Sequence, residues 1–163
     1  MAVDLGCGRT APLLRQLIES GAVVRGLGVD LAPDYSVESD KLKLLKADLN
    51  APLPIDTASV DLVLSLAVIE HLVAPELHLR EVHRILKPGG TLLLTTPSPA
   101  GKPVLEFLAF RLGVIDRLEI EDHKIYFNGT MLRGALAQAG FRAEDAQVGT
   151  FQFGLNNSVT ARR

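Results

Sequence analysis

Val3-Asp4-Leu5-Gly6-Cys7-Gly8 decides the reading of this chain, because it leads an apolar run into a helix through two glycines. Ala2 to Leu5 has the character of a short strand, and Ala11 onward carries Leu13, Leu14, Leu17 and Ile18 at helical spacing. The glycines allow a tight turn and bring bare backbone up to a ligand, with the free N–H groups of the helix start facing that turn. The next apolar run ends in Asp30, about 20 residues on, where a ribose-binding carboxylate is expected. The pattern is that of a nucleoside-cofactor loop. Against it, Asp30 precedes Pro33 as an ordinary polar loop residue would.

The choice of nucleoside narrows by what is missing. A dinucleotide loop needs G-x-G-x-x-G, and from Gly6 the chain reads Gly-Cys-Gly-Arg-Thr-Ala. No G-x-x-x-x-G-K-[ST] phosphate loop occurs. Asp4 adds a negative charge beside the turn, which suits a ligand carrying positive charge and suits a polyphosphate poorly.

The chain here resembles the class I S-adenosylmethionine-dependent methyltransferases of the small-molecule, methyltransferase-11-like type, over nearly its whole length. Val3 to Gly8 matches the first motif, Gly28-Val29-Asp30 the second and Lys46-Ala47-Asp48-Leu49 the third. Asp61 to Ser65 with Ile69-Glu70-His71-Leu72 matches the fourth strand and its exit loop, and Leu86 to Leu92 the turn into the fifth strand. Thr10 stands where the family usually has a third glycine. The resemblance implies a doubly wound, Rossmann-like α/β fold: a mostly parallel seven-stranded sheet with a C-terminal antiparallel hairpin. Family members usually carry helices before the first motif, whereas only Met1 to Leu5 precede the glycine turn here. The sheet is therefore expected to lack them, leaving a pocket closed by self-association or by a partner.

Composition agrees with one domain spanning 1–163. With 163 residues, 47% apolar content and a net charge of −2, the chain can bury a sizeable core. A pI near 6.1 and the lack of a lysine/arginine block argue against a broad nucleic-acid footprint. The single cysteine cannot form an internal disulfide, and neither a leader nor a run of 18 apolar residues is seen, so a cytoplasmic setting is expected.

The rest of the chain reads as one βα series. Pro12 opens the first helix and Gly21 ends it; Val23–Val29, Leu42–Ala47, Val60–Leu66 and Thr91–Thr96 are apolar runs suited to strands buried on both faces. Helices are expected over Pro75–Leu86 and Thr130–Ala139, and the last two strands over Phe141–Val148 and Phe151–Ala161.

By resemblance, Asp30 with Leu31 holds the ribose, Asp48 accepts from the adenine amino group, and the Leu49 N–H meets a ring nitrogen. The other reading of Asp48 is a cap of the following turn with Asn50. Asp4 borders the methionine end, Gly6, Cys7 and Gly8 offer backbone contacts, and Ser65, Leu66 and Ala67 line the far side. Cys7 as a reactive thiol is set against burial in the turn.

Methyl transfer asks the protein mainly to hold a nucleophile in line with the sulfonium methyl, which is worth on the order of 7–11 kcal/mol. A hydroxyl acceptor adds the need for a base. His78 and His83 lie on the Pro75 helix and are read as packing or solvated residues. His71 either borders the pocket or caps its exit loop. His123, in Glu121-Asp122-His123-Lys124-Ile125-Tyr126-Phe127, resembles the His-x-x-x-Phe segment of ubiquinone-type O-methyltransferases. It becomes the leading base, with Tyr126 as a hydrogen-bonding neighbour; fixing the loop is its other reading. The histidines and acids form no compact ligand set along the sequence, so no metal is expected.

Substrate choice is assigned to a cap over 97–127, since loops this long are usually functional. Its apolar stretch, Val104, Leu105, Phe107, Leu108, Phe110 and Leu112, can roof a pocket, meet a second copy of the chain or a membrane surface, or pack on its own domain. The expected activity is methylation of a small-molecule hydroxyl. A fold that binds cofactor without turnover is the alternative, and protein or nucleic-acid methylation a lesser one.

Overall fold

The computed structural model describes residues 1–112 and 120–163. Its centre is β1 (Ala2–Leu5), buried at every position. Parallel to it on one side lie β2 (Gly26–Asp30) and β3 (Leu42–Lys46), and on the other β4 (Val60–Leu66) and β5 (Leu86–Pro97). Two antiparallel strands, β6 (Ala146–Phe151) and β7 (Asn156–Arg162), complete a seven-stranded sheet of order β3-β2-β1-β4-β5-β7-β6. The doubly wound, Rossmann-like sheet with its C-terminal hairpin is as the motifs imply. The strand order reverses direction between β1 and β4, and the crevice beyond their C-terminal ends is where such sheets bind ligands.

Period-two alternation sends β1 to both faces. Val3 and Leu5 enter the larger core, whereas Ala2 enters a smaller one with Cys7, Ala11, Leu14, Leu42 and Leu44. The smaller core is covered by α1 (Pro12–Glu19), whose Pro12 fits the first turn because its missing N–H is not needed there. The larger core receives α2 (Pro75–Ile85) through Leu79, Val82 and Ile85, and α4 (Gly129–Ala139) through Leu132 and Leu136. Each such side chain, fully buried, contributes roughly 1.5–3 kcal/mol. Asn128 caps α4 by accepting from the Met131 N–H at 2.9 Å, and Gly140 ends it at φ 106°.

Gly26 shows how tightly α1 sits: a Cβ there would meet Leu14 Cγ at 2.6 Å and Cδ2 at 2.7 Å. Where Thr10 replaces the expected glycine, the helix starts from Ala11 in the left-handed region, φ 43°.

The last two strands begin later than the apolar runs suggest. Phe141 is not in a strand; it is buried against the His83 ring, 5.0 Å between centroids, and a 3-10 turn at Ala143–Asp145 follows. Similarly, Gln152, Phe153 and Gly154 take positive φ and form the hairpin turn, so β7 starts only at Asn156. Apolar character in both places reflects packing or exposure outside the ladder, which periodicity alone does not separate. In the cap, α3 (Lys102–Phe107) runs into a π-helical turn over Leu108–Leu112, and 113–119 lie outside the described residues.

Candidate active site

Two adjoining cavities open at the C-terminal ends of β1 to β5. The first, of about 360 Å³, is lined by Gly6, Asp30, Leu31, Asp48, Leu49 and Val68 among others. The second, of about 770 Å³, includes Glu70, Thr96, Pro97, Leu105 and His123. Asp30, Leu31, Ala67, His71 and Asp122 belong to both.

The glycine turn builds one wall. The Gly6 and Cys7 amides both donate to the Val29 carbonyl, at 2.8 and 3.2 Å, which folds the turn against β2. Gly6 has φ +77°, and a Cβ on it would lie 2.5 Å from Val68 Cγ2, so this position excludes side chains on two grounds. The Gly8 amide then donates to Asp30 Oδ2 at 3.0 Å, and the Ala32 amide to Oδ1 at 3.2 Å. Each Asp30 oxygen keeps a lone pair for a further donor, such as a ribose hydroxyl.

Asp48 caps a turn with Asn50 and also lines the first cavity. Its Oδ1 accepts from the Asn50 amide at 2.8 Å and from Asn50 Nδ2 at 3.0 Å, and these bonds hold its pKa below the usual carboxylate value. Oδ2 has no part in that turn. Asn50 Oδ1 in turn accepts from the Val73 and Ala74 amides, at 2.7 and 3.2 Å, and so braces the start of α2. The first cavity thus offers a nucleoside two carboxylates on neighbouring strand ends beside the bare backbone of Gly6, a set that fits the ribose and base of S-adenosylmethionine.

Beneath the turn Asp4 is buried, and its carboxyl is pushed up to about 6 by burial and by the charge of Asp30. Burial, with Asp4 and Asp30, also pushes the Cys7 thiol up to about 12, which leaves the thiolate unavailable at neutral pH.

The opposite wall follows β4. Ala67 takes the left-handed conformation at φ 55°, and its amide donates to the Thr95 carbonyl at 3.0 Å. A non-glycine residue there signals strain of the kind found at ligand sites. A 3-10 turn over Ile69–His71 comes next. Its Glu70 carbonyl accepts from the Lys124 amide at 2.8 Å and the Ile125 amide at 3.4 Å, which clasps the 122–126 segment onto the β4 loop. Lys124 Nζ reinforces the clasp on the His71 carbonyl at 2.6 Å. His71 Nδ1 consequently meets Asp122 Oδ2 at 3.2 Å, His123 Nδ1 meets the Tyr126 hydroxyl at 3.0 Å, and the two imidazoles pack edge to face 4.7 Å apart.

Of the sequence-derived site residues, Gly6, Asp30, Leu31, Asp48 and Leu49 line the first cavity, His123 the second and His71 both. Asp4, Cys7, Gly8, Leu66 and Tyr126 are not part of either lining. Ser65 faces away: it is wholly buried, and its hydroxyl pairs with His78 Nε2 at 3.0 Å. Period two turns that side chain toward α2, and His78 is a core residue rather than a solvated one. The fold brings ligand atoms of Glu70, His71 and His123 all within 4.8 Å of one another, a grouping that the spacing along the chain does not suggest. Sequence spacing hid it because the clasp joins segments about fifty residues apart. Glu70 itself carries no sequence signal beyond its motif, and Asp122 only its acidic neighbours.

Residues 3–94, more than half of the chain, match the methyltransferase domain family. The chain belongs to that family. It is 36% identical over 147 residues to a probable S-adenosylmethionine-dependent methyltransferase of Mycolicibacterium smegmatis, covering 80% of this chain and 53% of the relative. It is 27% identical over 164 residues to the 27-O-demethylrifamycin SV methyltransferase of Amycolatopsis mediterranei, covering 89% and 55%. A tRNA U34 carboxymethyltransferase of Cellvibrio japonicus is 33% identical over 112 residues, 63% of this chain and 34% of that protein. The chain therefore spans about half the length of the first two relatives. An S-adenosylmethionine-dependent methyltransferase structure from Mesorhizobium loti has the same fold, with a TM-score of 0.75 at 22% identity over 99% of this chain and 90% of that one. S-adenosylmethionine is the cofactor of the family. Among the described residues, no helix is long and apolar enough to cross a membrane.

Proposed function

We propose that this methyltransferase moves the methyl group of S-adenosylmethionine onto a hydroxyl oxygen of a small molecule held in the second cavity. The observation that carries the reading is the adjacency of the two cavities. The smaller has the carboxylates a nucleoside needs, the larger has Leu105 and Pro97 on one side and two imidazoles on the other, and they share Ala67 and His71. Bound in the first cavity, the cofactor supplies an electrophilic methyl, so the chain's task is to orient the acceptor and take up its proton.

His123 suits the second task. Burial, with His71 adding to it, holds the His123 pKa below its ordinary value, and the ring is neutral and able to accept a proton at neutral pH. When His123 Nδ1–H donates to the Tyr126 hydroxyl, Nε2 carries the free lone pair. Asp30 and Asp48 orient the nucleoside, and the buried Asp4 places negative potential near the sulfonium end.

The test separates acceptor classes. Purified protein with methyl-labelled S-adenosylmethionine is given, in parallel, a panel of hydroxylated polyketides and phenols, bulk tRNA, and denatured cell protein. Label in the small-molecule fraction, absent with His123→Ala, supports the proposal. Label only in tRNA or protein overturns the acceptor, and tight cofactor binding with no transfer in any arm points to a binding protein.

A further inference from the structure

The cluster of Glu70, His71 and His123 is built for more than a proton. We propose that it is a binding site for one divalent transition-metal ion, with Glu70 Oε2 and one ring nitrogen each from His71 and His123 as protein ligands and the acceptor oxygen or water completing the shell.

Three observations carry this. The ligand atoms of the three residues lie within 4.8 Å of one another. Atoms bound at about 2.0–2.2 Å to a single ion sit roughly 3–4 Å apart, so small side-chain rotations complete the set. Secondly, Glu70 is 1% exposed yet lines the second cavity, and its Oε2 has no hydrogen-bond partner among the described residues. The Thr96 hydroxyl is near enough to influence it but lies outside hydrogen-bond geometry. A buried carboxylate oxygen left unpaired is costly, and a cation in the cavity removes that cost. Thirdly, both imidazoles are oriented by a second partner, His71 Nδ1 by Asp122 at 3.2 Å and His123 Nδ1 by Tyr126 at 3.0 Å. Each keeps Nε2 for a ligand, the outer-shell arrangement that metal-binding histidines use.

Two imidazoles and one carboxylate favour zinc-like ions over magnesium, which prefers an all-oxygen shell. The site's role rests on the proposed methylation of a hydroxyl. An acceptor hydroxyl bound to the ion is more acidic, and its proton leaves to water. The oxygen then forms the O–C bond as the S–C bond breaks, and that electron pair stays on sulfur. With the ion in place, His71 and His123 are ligands, and proton uptake by His123 belongs to the metal-free protein.

Isothermal titration with Zn²⁺ alone, on the metal-stripped protein without cofactor, tests the site directly. One Zn²⁺ per chain is expected, with affinity at least tenfold weaker in both His123→Ala and Glu70→Gln, circular dichroism confirming that each is folded. Absence of stoichiometric binding, or unchanged affinity in the folded variants, overturns the proposal, as does Mg²⁺ binding in place of Zn²⁺. S-adenosylmethionine affinity, measured on the same preparations, is read separately. Its absence from the wild type would remove the methylation reading while leaving the metal result intact.

Discussion

The Gly8 amide donates to Asp30 Oδ2 at 3.0 Å, and this bond ties the turn after β1 to the end of β2. Asp30 therefore shapes the glycine turn as well as facing the first cavity. Asp30→Ala is expected to weaken S-adenosylmethionine binding more than tenfold, since a carboxylate bonding two hydroxyls is worth about 1.5–3 kcal/mol. Calorimetry measures this, and a folded variant with unchanged affinity would remove Asp30 from the ribose site.

His123→Ala is expected to lower turnover on a hydroxyl acceptor by about 10²-fold or more while leaving cofactor affinity nearly intact, because the side chain acts only in the transfer step. Single-turnover rates alongside the cofactor dissociation constant provide the check. A parallel fall in both would instead indicate collapse of the segment clasped to Glu70.

Stability should respond to pH through two buried groups of opposite sign. Burial brings the His78 pKa from 6.5 down to about 4. The unfolded chain takes up that proton first, so the contribution of His78 is complete above pH 6.5 and is lost as pH falls toward 4, by roughly 3 kcal/mol. Asp4, raised from 3.8 to about 6, behaves inversely. Its contribution is complete below the unfolded value and is lost as pH rises through 6, again by roughly 3 kcal/mol. The two slopes oppose each other between pH 4 and 6. Relative to wild type, the penalty of His78→Gln should therefore shrink between pH 7 and pH 4.5, and the stability gain of Asp4→Asn should fade over the same interval. Urea denaturation at both pH values decides; differences independent of pH would contradict these titrations.

Gly6→Ala combines a left-handed backbone with a contact 2.5 Å from Val68 Cγ2. Overpacking of this kind costs about 1–3 kcal/mol, and the left-handed conformation about 1–2 more. Adding Val68→Ala should recover the packing part alone. Thermal melts of the single and double variants test the split, and a Gly6→Ala protein as stable as wild type would contradict both causes.

Much of the fold is legible along the sequence because each parallel strand here is a local apolar run. The edge is less so: Phe141 and Phe153 look like strand residues, yet one fills the core beside His83 and the other tops an exposed turn. The lining of the first cavity is legible for the same local reason, since Gly6 follows β1, Asp30 ends β2 and Asp48 lies just beyond β3. The ligand cluster does not, because Glu70 and His71 meet His123 only through backbone bonds between distant segments. The motif around Ser65 fixes the strand but not which face the hydroxyl takes, which is the one toward His78.

The Lys124 and Ile125 amides share the Glu70 carbonyl, and this makes two walls of the second cavity a single mechanical joint. His71, one residue along, also faces the first cavity. Whatever occupies the nucleoside side therefore presses on the joint that frames the other side. An occupant of either side is therefore felt at the same hinge point, and deuterium uptake at those two amides would register it without any label on the ligand.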